Sequence, residues 1–427
     1  MKKMKPSNTE WIGEIPESWS INRIKYVADF EPICDFTKLP PDSMITYTPM
    51  ENIKNGYYIP NTAVLGSLST SLTAYQDNDI VMAKVTPCFE NGNIAVMSGL
   101  SSGVGLGSSE LFVFRAKEIQ TRYLFYWLQN QAFVEQAKAT MTGTGGLKRV
   151  SPQFMRNCAI HCPPVDEQSR IADFLDTECA RIDAVIEQTR ASIEEYKKLK
   201  QAVITEAVTK GIRPGRKMKD SGIKWVGKMP EDWESINPKA LFSQRKEKAT
   251  AGERQLTASQ QYGVIYQDEY MELTGSKVVT VEKDFDILKH VEEGDFVISM
   301  RSFQGGLEYS TKTGSISSAY VMLIPNLSMV FPRFYRWLLK SSVYINALQS
   351  TSNMVRDGQA MRYSNFAQVR LYSVPLDEQE EIADYLDEKC AAIDQLVKQK
   401  ESFLTELETY KKSLIFEYVT GKKEVQA

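Results

Sequence analysis

Apolar residues recur at alternating spacings of four and three along two stretches of this 427-residue chain. Within 166–211 the seam runs Leu175, Cys179, Ile182, Ile186, Thr189, Ile193, Tyr196, Lys200, Val203, Ala207. Within 377–421 it runs Leu386, Cys390, Ile393, Val397, Lys400, Leu404, Leu407, Lys411, Leu414, Tyr418. A shift of 211 lays 166–209 on 377–420 without a gap, with 19 identities in 44 positions. A heptad-like seam sustained this long predicts two long helices, rods of roughly 66 Å at 1.5 Å per residue. Each seam needs a partner, and the other rod is the nearest one. Two polar slots recur in both copies, Thr189/Lys400 and Lys200/Lys411; such a slot sets register or orientation at some cost in stability. Pro164 with Asp166, and Pro375 with Asp377, mark the helix starts, and Gly211 and Gly421 the stops.

The repetition extends beyond the rods. Trp11-Ile-Gly-Glu-Ile-Pro-Glu-Ser-Trp19 returns as Trp225-Val-Gly-Lys-Met-Pro-Glu-Asp-Trp233, a docking loop anchored by its rings. Residues 20–165 alternate short β-rich runs with turns. Asp79-Ile-Val-Met-Ala-Lys84 predicts a strand entering a loop over 86–93, and Glu110-Leu-Phe-Val-Phe-Arg115 a second strand. Residues 122–138 carry helical spacing, and the Gly-rich loop 142–149 follows. The second half repeats the plan with Gly294-Asp-Phe-Val-Ile-Ser-Met-Arg301, Ser317-Ser-Ala-Tyr-Val-Met-Leu-Ile324 and Arg333-Phe-Tyr-Arg-Trp-Leu-Leu339, but shares little between these anchors.

The expected fold class is therefore α/β (α+β): two globular domains joined by two long helices packed as an antiparallel coiled coil, an internal pseudo-twofold repeat. Expected boundaries are 1–165 for the first domain, 166–211 for the central helix and 212–224 for a basic linker with Pro214 and Gly215. The second domain spans 225–376, and the C-terminal helix 377–427.

Composition changes the picture little. It is ordinary for a globular protein, with no signal peptide and no apolar run near the roughly 20 residues that span a bilayer. Six scattered cysteines suit a reducing cytoplasm. Cys158-Ala-Ile-His161-Cys162 holds metal-ligand types, but no second cluster completes a zinc site, so a strand end before Pro163 is expected. Net charge is −3, unevenly spread. Residues 166–211 hold 7 basic and 10 acidic residues, and 377–424 hold 7 and 13, which leaves +6 on the globular parts. That balance permits nucleic-acid binding there.

Catalytic chemistry is missing. Gly222-Ile-Lys-Trp-Val-Gly227-Lys228 has phosphate-loop spacing but ends in Met229 and Pro230, where a Ser or Thr and a helix are required. Gly103-Val-Gly-Leu-Gly107 lacks dinucleotide-loop spacing, and His161 and His290 are the two histidines. Neither the tetrapeptide that holds a flipped base in amino-methyltransferases nor a nuclease triad is found. The chain reads as a non-enzyme with no catalytic, cofactor or metal residues.

Two dissimilar blocks, each preceded by Trp-x-Gly-x-x-Pro-Glu-x-Trp and closed by a helix beginning Pro-x-Asp-Glu-Gln, form a specific constellation. It rests on Pro164-Val-Asp-Glu-Gln168 with Ile171-Ala-Asp-Phe-Leu175, and Pro375-Leu-Asp-Glu-Gln379 with Ile382-Ala-Asp-Tyr-Leu386. From Trp11 to about Gly421 the chain resembles the specificity subunit of type I restriction–modification systems. The resemblance implies that each block is a target-recognition domain reading half of a split double-stranded DNA site. It implies rods that space the blocks and dock two methyltransferase (modification) subunits. S-adenosylmethionine belongs to those subunits, and restriction/translocase subunits join where present; no membrane partner is implied.

Arg, Lys, Asn and Gln on loops suit base-edge reading in the major groove. The candidates are Lys84, Asn91, Asn93, Lys148, Arg149 and Gln153 in the first block. In the second they are Arg301, Gln304, Asn353, Arg356, Gln359 and Arg362. A coiled-coil scaffold without a DNA role and a self-contained DNA methyltransferase are the competing readings; the second would need the motifs found missing.

Overall fold

A computed structural model of the chain describes residues 3–278, 280–281, 287–351 and 361–425. The chain divides into two compact units, Met1–Arg190 with Ser402–Ala427, and Ala191–Glu401. The division cuts both rods, Val165–Lys210 and Leu376–Val419, so each unit holds the start of one rod and the end of the other.

Within each unit the two rod segments run antiparallel. In the first, Asp183 pairs with Lys411 at 2.7 Å and Arg190 with Glu408 at 3.1 Å, so one helix ascends as the other descends. In the second, Lys200 pairs with Asp394 at 2.6 Å and Arg213, just past the rod, with Glu381 at 2.8 Å. Lys200 and Lys411 occupy equivalent places in the repeat, as do Asp183 and Asp394, so one ion pair is made twice. The polar slot thereby explains itself. The lysine stem lies half-buried in the seam while its ammonium reaches an exposed carboxylate on the facing helix. Thr189 settles its hydroxyl on the carbonyl of Val185, four residues back in its own helix.

In the first unit a four-stranded antiparallel sheet runs Ala28–Phe30, Leu111–Ala116, Ile80–Ala83, Ile94–Val96. Its central strands are buried on both faces. Ile80, Met82, Phe112 and Phe114 join the core that holds Leu175, Ile182 and Leu414 of the rods. Val81, Leu111 and Val113 turn the other way, onto Ile53, Tyr75 and Met97. That second core lies with another sheet, ordered Thr62–Val64, Met44–Thr48, Val104–Gly107, Thr73–Gln76, which contains a parallel pair. The second unit repeats the scheme. Phe296, Ile298 and Leu323 face the rod-side core, and Val297 and Met322 a smaller one beneath the hairpin Leu256–Ser259/Gly263–Tyr266. Period-two alternation thus divides each central strand between two cores. Mainly antiparallel sheets, followed by the helix pairs Thr121–Trp127/Gln131–Ala139 and Pro332–Leu338/Ser342–Gln349, make the blocks α+β.

The helix expected over 122–138 is broken. Thr121–Trp127 and Gln131–Ala139 are separate helices, because the Asn130 side chain accepts from the Phe133 N–H at 2.9 Å and caps a new start.

The Pro-x-Asp-Glu-Gln motif joins block to rod. In the first unit the buried Trp19 donates its indole N–H to Glu167 at 3.2 Å. Gln168 accepts the Gln120 N–H at 2.8 Å, at the entry of Thr121–Trp127, and donates to the Pro163 carbonyl at 2.9 Å. Arg122 then bridges Asp173 and Asp176. In the second unit Trp233 donates to Glu378 at 3.1 Å, Gln379 accepts from the Phe331 N–H at 2.7 Å, and Arg333 bridges Asp384 and Asp387. The terminal glycines complete the junction. Gly211 and Gly421 adopt φ of 73° and 71°, and a side chain would strike Glu378 and Arg216 at the first, Pro16 and Trp19 at the second. The residues most identical between the copies are therefore those that tie indole, block helix and rod together.

Cys158 and His161 serve the core, as Ala159–Cys162 pairs with Ser20–Arg23, and no group able to hold a metal occurs among the described residues. His161 is fully buried, and burial lowers its pKa to about 4, with the charge of Lys422 adding to the effect and the Ser7 backbone opposing it.

Two predictions follow from this packing. Glu378 is buried against Arg216 and Trp233, so Glu378→Ala leaves the buried Trp233 N–H without its acceptor and Arg216 with Asp232 alone, and should cost about 1–3 kcal/mol. Asp377→Ala, at the exposed neighbour, should cost clearly less, both read by denaturant unfolding. Folded His161 resists protonation that the unfolded chain accepts near pH 6.5, so its contribution is complete above that pH and lost as pH falls toward 4. The loss at pH 5 should reach about 2 kcal/mol. Unfolding at pH 7 and pH 5 should show it, and His161→Gln should remove it.

Candidate nucleic-acid interface

The central strand of each block begins at a buried aspartate and ends in a candidate loop. Asp79 accepts the Gln76 N–H at 2.8 Å and the Arg115 guanidinium at 2.8 Å through both oxygens. Asp295 does the same with the Glu292 N–H at 3.0 Å and with Arg245 at 2.7 and 3.1 Å. The arginine comes from Leu111–Ala116 in one block and from Phe242–Arg245 in the other. The same acid is neutralised from the neighbouring strand in the first block and from the edge strand beyond it in the second. Hydrogen bonding to Asp79 and Asp295 holds Arg115 and Arg245 above the ordinary guanidinium pKa, so these arginines are structural cations.

In the first block the strand exit is knitted to the Gly-rich loop. The Thr86 N–H bonds the Lys148 carbonyl at 2.9 Å, Lys148 N–H returns to the Thr86 hydroxyl at 2.9 Å, and Val150 N–H bonds the Lys84 carbonyl at 3.0 Å. Lys84, Lys148 and Arg149 therefore lie on adjoining backbone. The ammonium of Lys84 sits 5.4 Å from the Phe112 ring centre. Lys148 is exposed and makes no ion pair among the described residues. Arg149 is held: its Nε and Nη2 grip both oxygens of Glu110, at distances down to 2.6 Å. That contact lowers the Glu110 pKa.

Asn91 and Asn93 fall in the loop 86–93, the first exposed and the second half-buried. A third loop, unexpected from the sequence, lies against it. Gly56 N–H bonds the Ile94 carbonyl, and Ile94 N–H the Lys54 carbonyl, both within 3.0 Å. Lys54, Asn55 and the exposed Tyr57 thus join the surface. The turn pair Asn55-Gly56 flanked by tyrosine was its one sequence signal. Gln153 is exposed in the short helix Pro152–Asn157, and no hydrogen bond places it with the loops.

In the second block Arg301 and Gln304 directly follow the central strand, at Ser302–Gly305, and both are exposed. The tip of the neighbouring hairpin reaches them, Gln260 donating to the Arg301 carbonyl at 3.4 Å. Arg301 has no ion pair among the described residues. Arg362 is exposed at the start of Tyr363–Gln368, where its N–H bonds the Asn365 side chain at 3.0 Å. Asn353, Arg356 and Gln359 lie outside the described residues. The two blocks thus place different polar side chains at the same point of the fold.

Known proteins agree on the type. Residues 35–195 match the family model described as the type I restriction modification DNA specificity domain. The EcoEI specificity subunit of Escherichia coli is 30% identical over 213 residues, 48% of this chain and 36% of that protein. The aligned stretch therefore spans about a third of that relative's length. The putative MjaX specificity subunit of Methanocaldococcus jannaschii is 24% identical across 97% of this chain and 96% of its own. Among solved structures, a chain of a type I R-M system aligns with a TM-score of 0.72 at 17% identity, covering 96% of this chain and 99% of its own. The HsdS subunit of Thermoanaerobacter tengcongensis aligns at 0.53 and 17%, covering 96% and 98%. At these identities the structures speak to fold alone.

Proposed function

We propose, for a chain that belongs to the family of type I restriction–modification specificity subunits, that each block reads one half of a bipartite double-stranded DNA site. The rods set the gap between half-sites and dock two methyltransferase subunits, which bind S-adenosylmethionine and modify the DNA. The chain itself performs no chemistry. The observation that carries this reading is the contrast between repeated and unrepeated parts. Junction, ion pair and central strand recur, while the loops at the strand exits carry Lys84, Asn91 and Lys148 in one block and Arg301 and Gln304 in the other. Two readers of different sequences on a shared frame need that division. A fixed gap needs rods in place of a flexible linker.

Docking has its own support. The outer rod faces leave apolar residues exposed at heptad spacing: Val185, Phe403 and Tyr410 in the first unit, Leu199 and Leu396 in the second. Val185 and Leu396 are equivalent in the repeat, as are Leu199 and Tyr410. A repeated apolar stripe away from the mutual seam suits two copies of one partner. The rods' acidity argues that this partner is protein and not phosphate.

Three outcomes test the reading. Replacing 20–165 by the equivalent block of a relative should change one half-site in the methylated-adenine map and leave the other intact. Inserting four residues into both rods, after Arg190 and after Glu401, adds about 6 Å and turns the helices by about 40°. At 3.4 Å per base pair the gap should lengthen by one or two base pairs; an unchanged gap would mean that the rods do not measure distance. Charge reversal at Glu194, Glu195, Glu401 and Glu408 should weaken assembly with modification subunits more than DNA binding by either block. The reverse pattern would exchange the assigned roles.

A further inference from the structure

We propose that Glu110 is a positioning residue that presents Arg149 to a guanine of the first half-site, while the adjacent Lys148 contacts phosphate. The proposal rests on the DNA-reading function above and divides labour between neighbouring cations. Both ends of the contact are fixed by backbone. Arg149 closes the Gly-rich loop through paired bonds with Thr142 at 2.8 and 3.0 Å. Glu110 precedes Leu111–Ala116, and its carbonyl accepts the Lys84 N–H at 3.0 Å.

The geometry leaves a specific edge free. A guanidinium carries five N–H donors in a rigid fork. Glu110 occupies Nε and one side of Nη2, so the outer edge, Nη1 with the remaining Nη2 hydrogen, still offers two parallel donors. That edge matches the O6 and N7 acceptors of guanine in the major groove. The carboxylate removes side-chain freedom before DNA arrives, which lowers the ordering cost of binding. It also cancels the charge of Arg149 and repels phosphate, so the pair favours a base edge over the backbone. Lys148 has the opposite character, an exposed point charge with no ion pair among the described residues.

The test uses the full chain assembled with its modification subunits, on duplexes carrying the site obtained from methylation mapping. Each guanine of the first half-site is replaced in turn by 7-deazaguanine, which lacks N7. For the wild type one such position should weaken binding about 5- to 100-fold. In Arg149→Lys, which keeps the charge but not the fork, that penalty should vanish, while the slope of log affinity against log salt stays unchanged. Glu110→Gln should preserve part of the discrimination and Glu110→Ala should lose it, with the salt slope steeper by about one as Arg149 turns to phosphate. Lys148→Gln should weaken all sequences alike and reduce the slope by about one.

If Arg149→Lys retains every 7-deazaguanine penalty, or Arg149→Ala lowers affinity uniformly with a shallower slope, Arg149 is a phosphate contact and the proposal is overturned. Failure of the wild-type assembly to bind any duplex specifically would instead overturn the DNA-reading function.

Discussion

Every level of this structure depends on a buried junction in which a glutamate and a glutamine at the start of each rod fasten three separate pieces of chain. The glutamate holds the indole of a tryptophan loop, and the glutamine closes the first turn of a block helix. Gln168, Gln379 and Glu378 could not be buried without those partners, since an unsatisfied amide or carboxylate in a core costs several kcal/mol; Glu167 is half-buried. The chain therefore has one way to attach a block to a rod, and it uses that way twice. Within each unit the Lys–Asp pair adds a fixed register between the two rod segments.

That frame was legible in the sequence because its determinants are local and repeated. Heptad spacing, the Asp-Glu-Gln start and the glycine stops sit in single stretches, and the second copy separated signal from accident. The tryptophan phrase was legible for the same reason. The helix break at Asn130 was not, because the apolar spacing runs through it and only the cap shows the new start. The two-sided burial of Ile80–Ala83 was also hidden, since a short apolar run does not say what covers each face.

The candidate surface was legible as residue types and not as an arrangement. Lys84, Lys148 and Arg149 were identified singly, and the fold brings them together through bonds spanning about sixty residues. Glu110 stands 39 residues from Arg149 and was visible only as the first residue of a strand. The arginines that neutralise Asp79 and Asp295 come from different strands, a choice with no trace in the local pattern. Long-range polar pairing has no period, so it escapes reading along the chain.

The division of each central strand between two cores has a consequence for how such a protein can diversify. Sliding Ile80–Ala83 by one position would exchange its residues between two differently shaped interiors, and both would fail at once. The sheet is therefore locked against small errors of alignment, and insertions or deletions survive only beyond its ends. Variation is channelled into the exits of the strands, where it alters what the surface touches without drawing on the stability that holds the surface up. Change at the surface and persistence of the scaffold become separable, because the scaffold punishes change in one place and ignores it in the next.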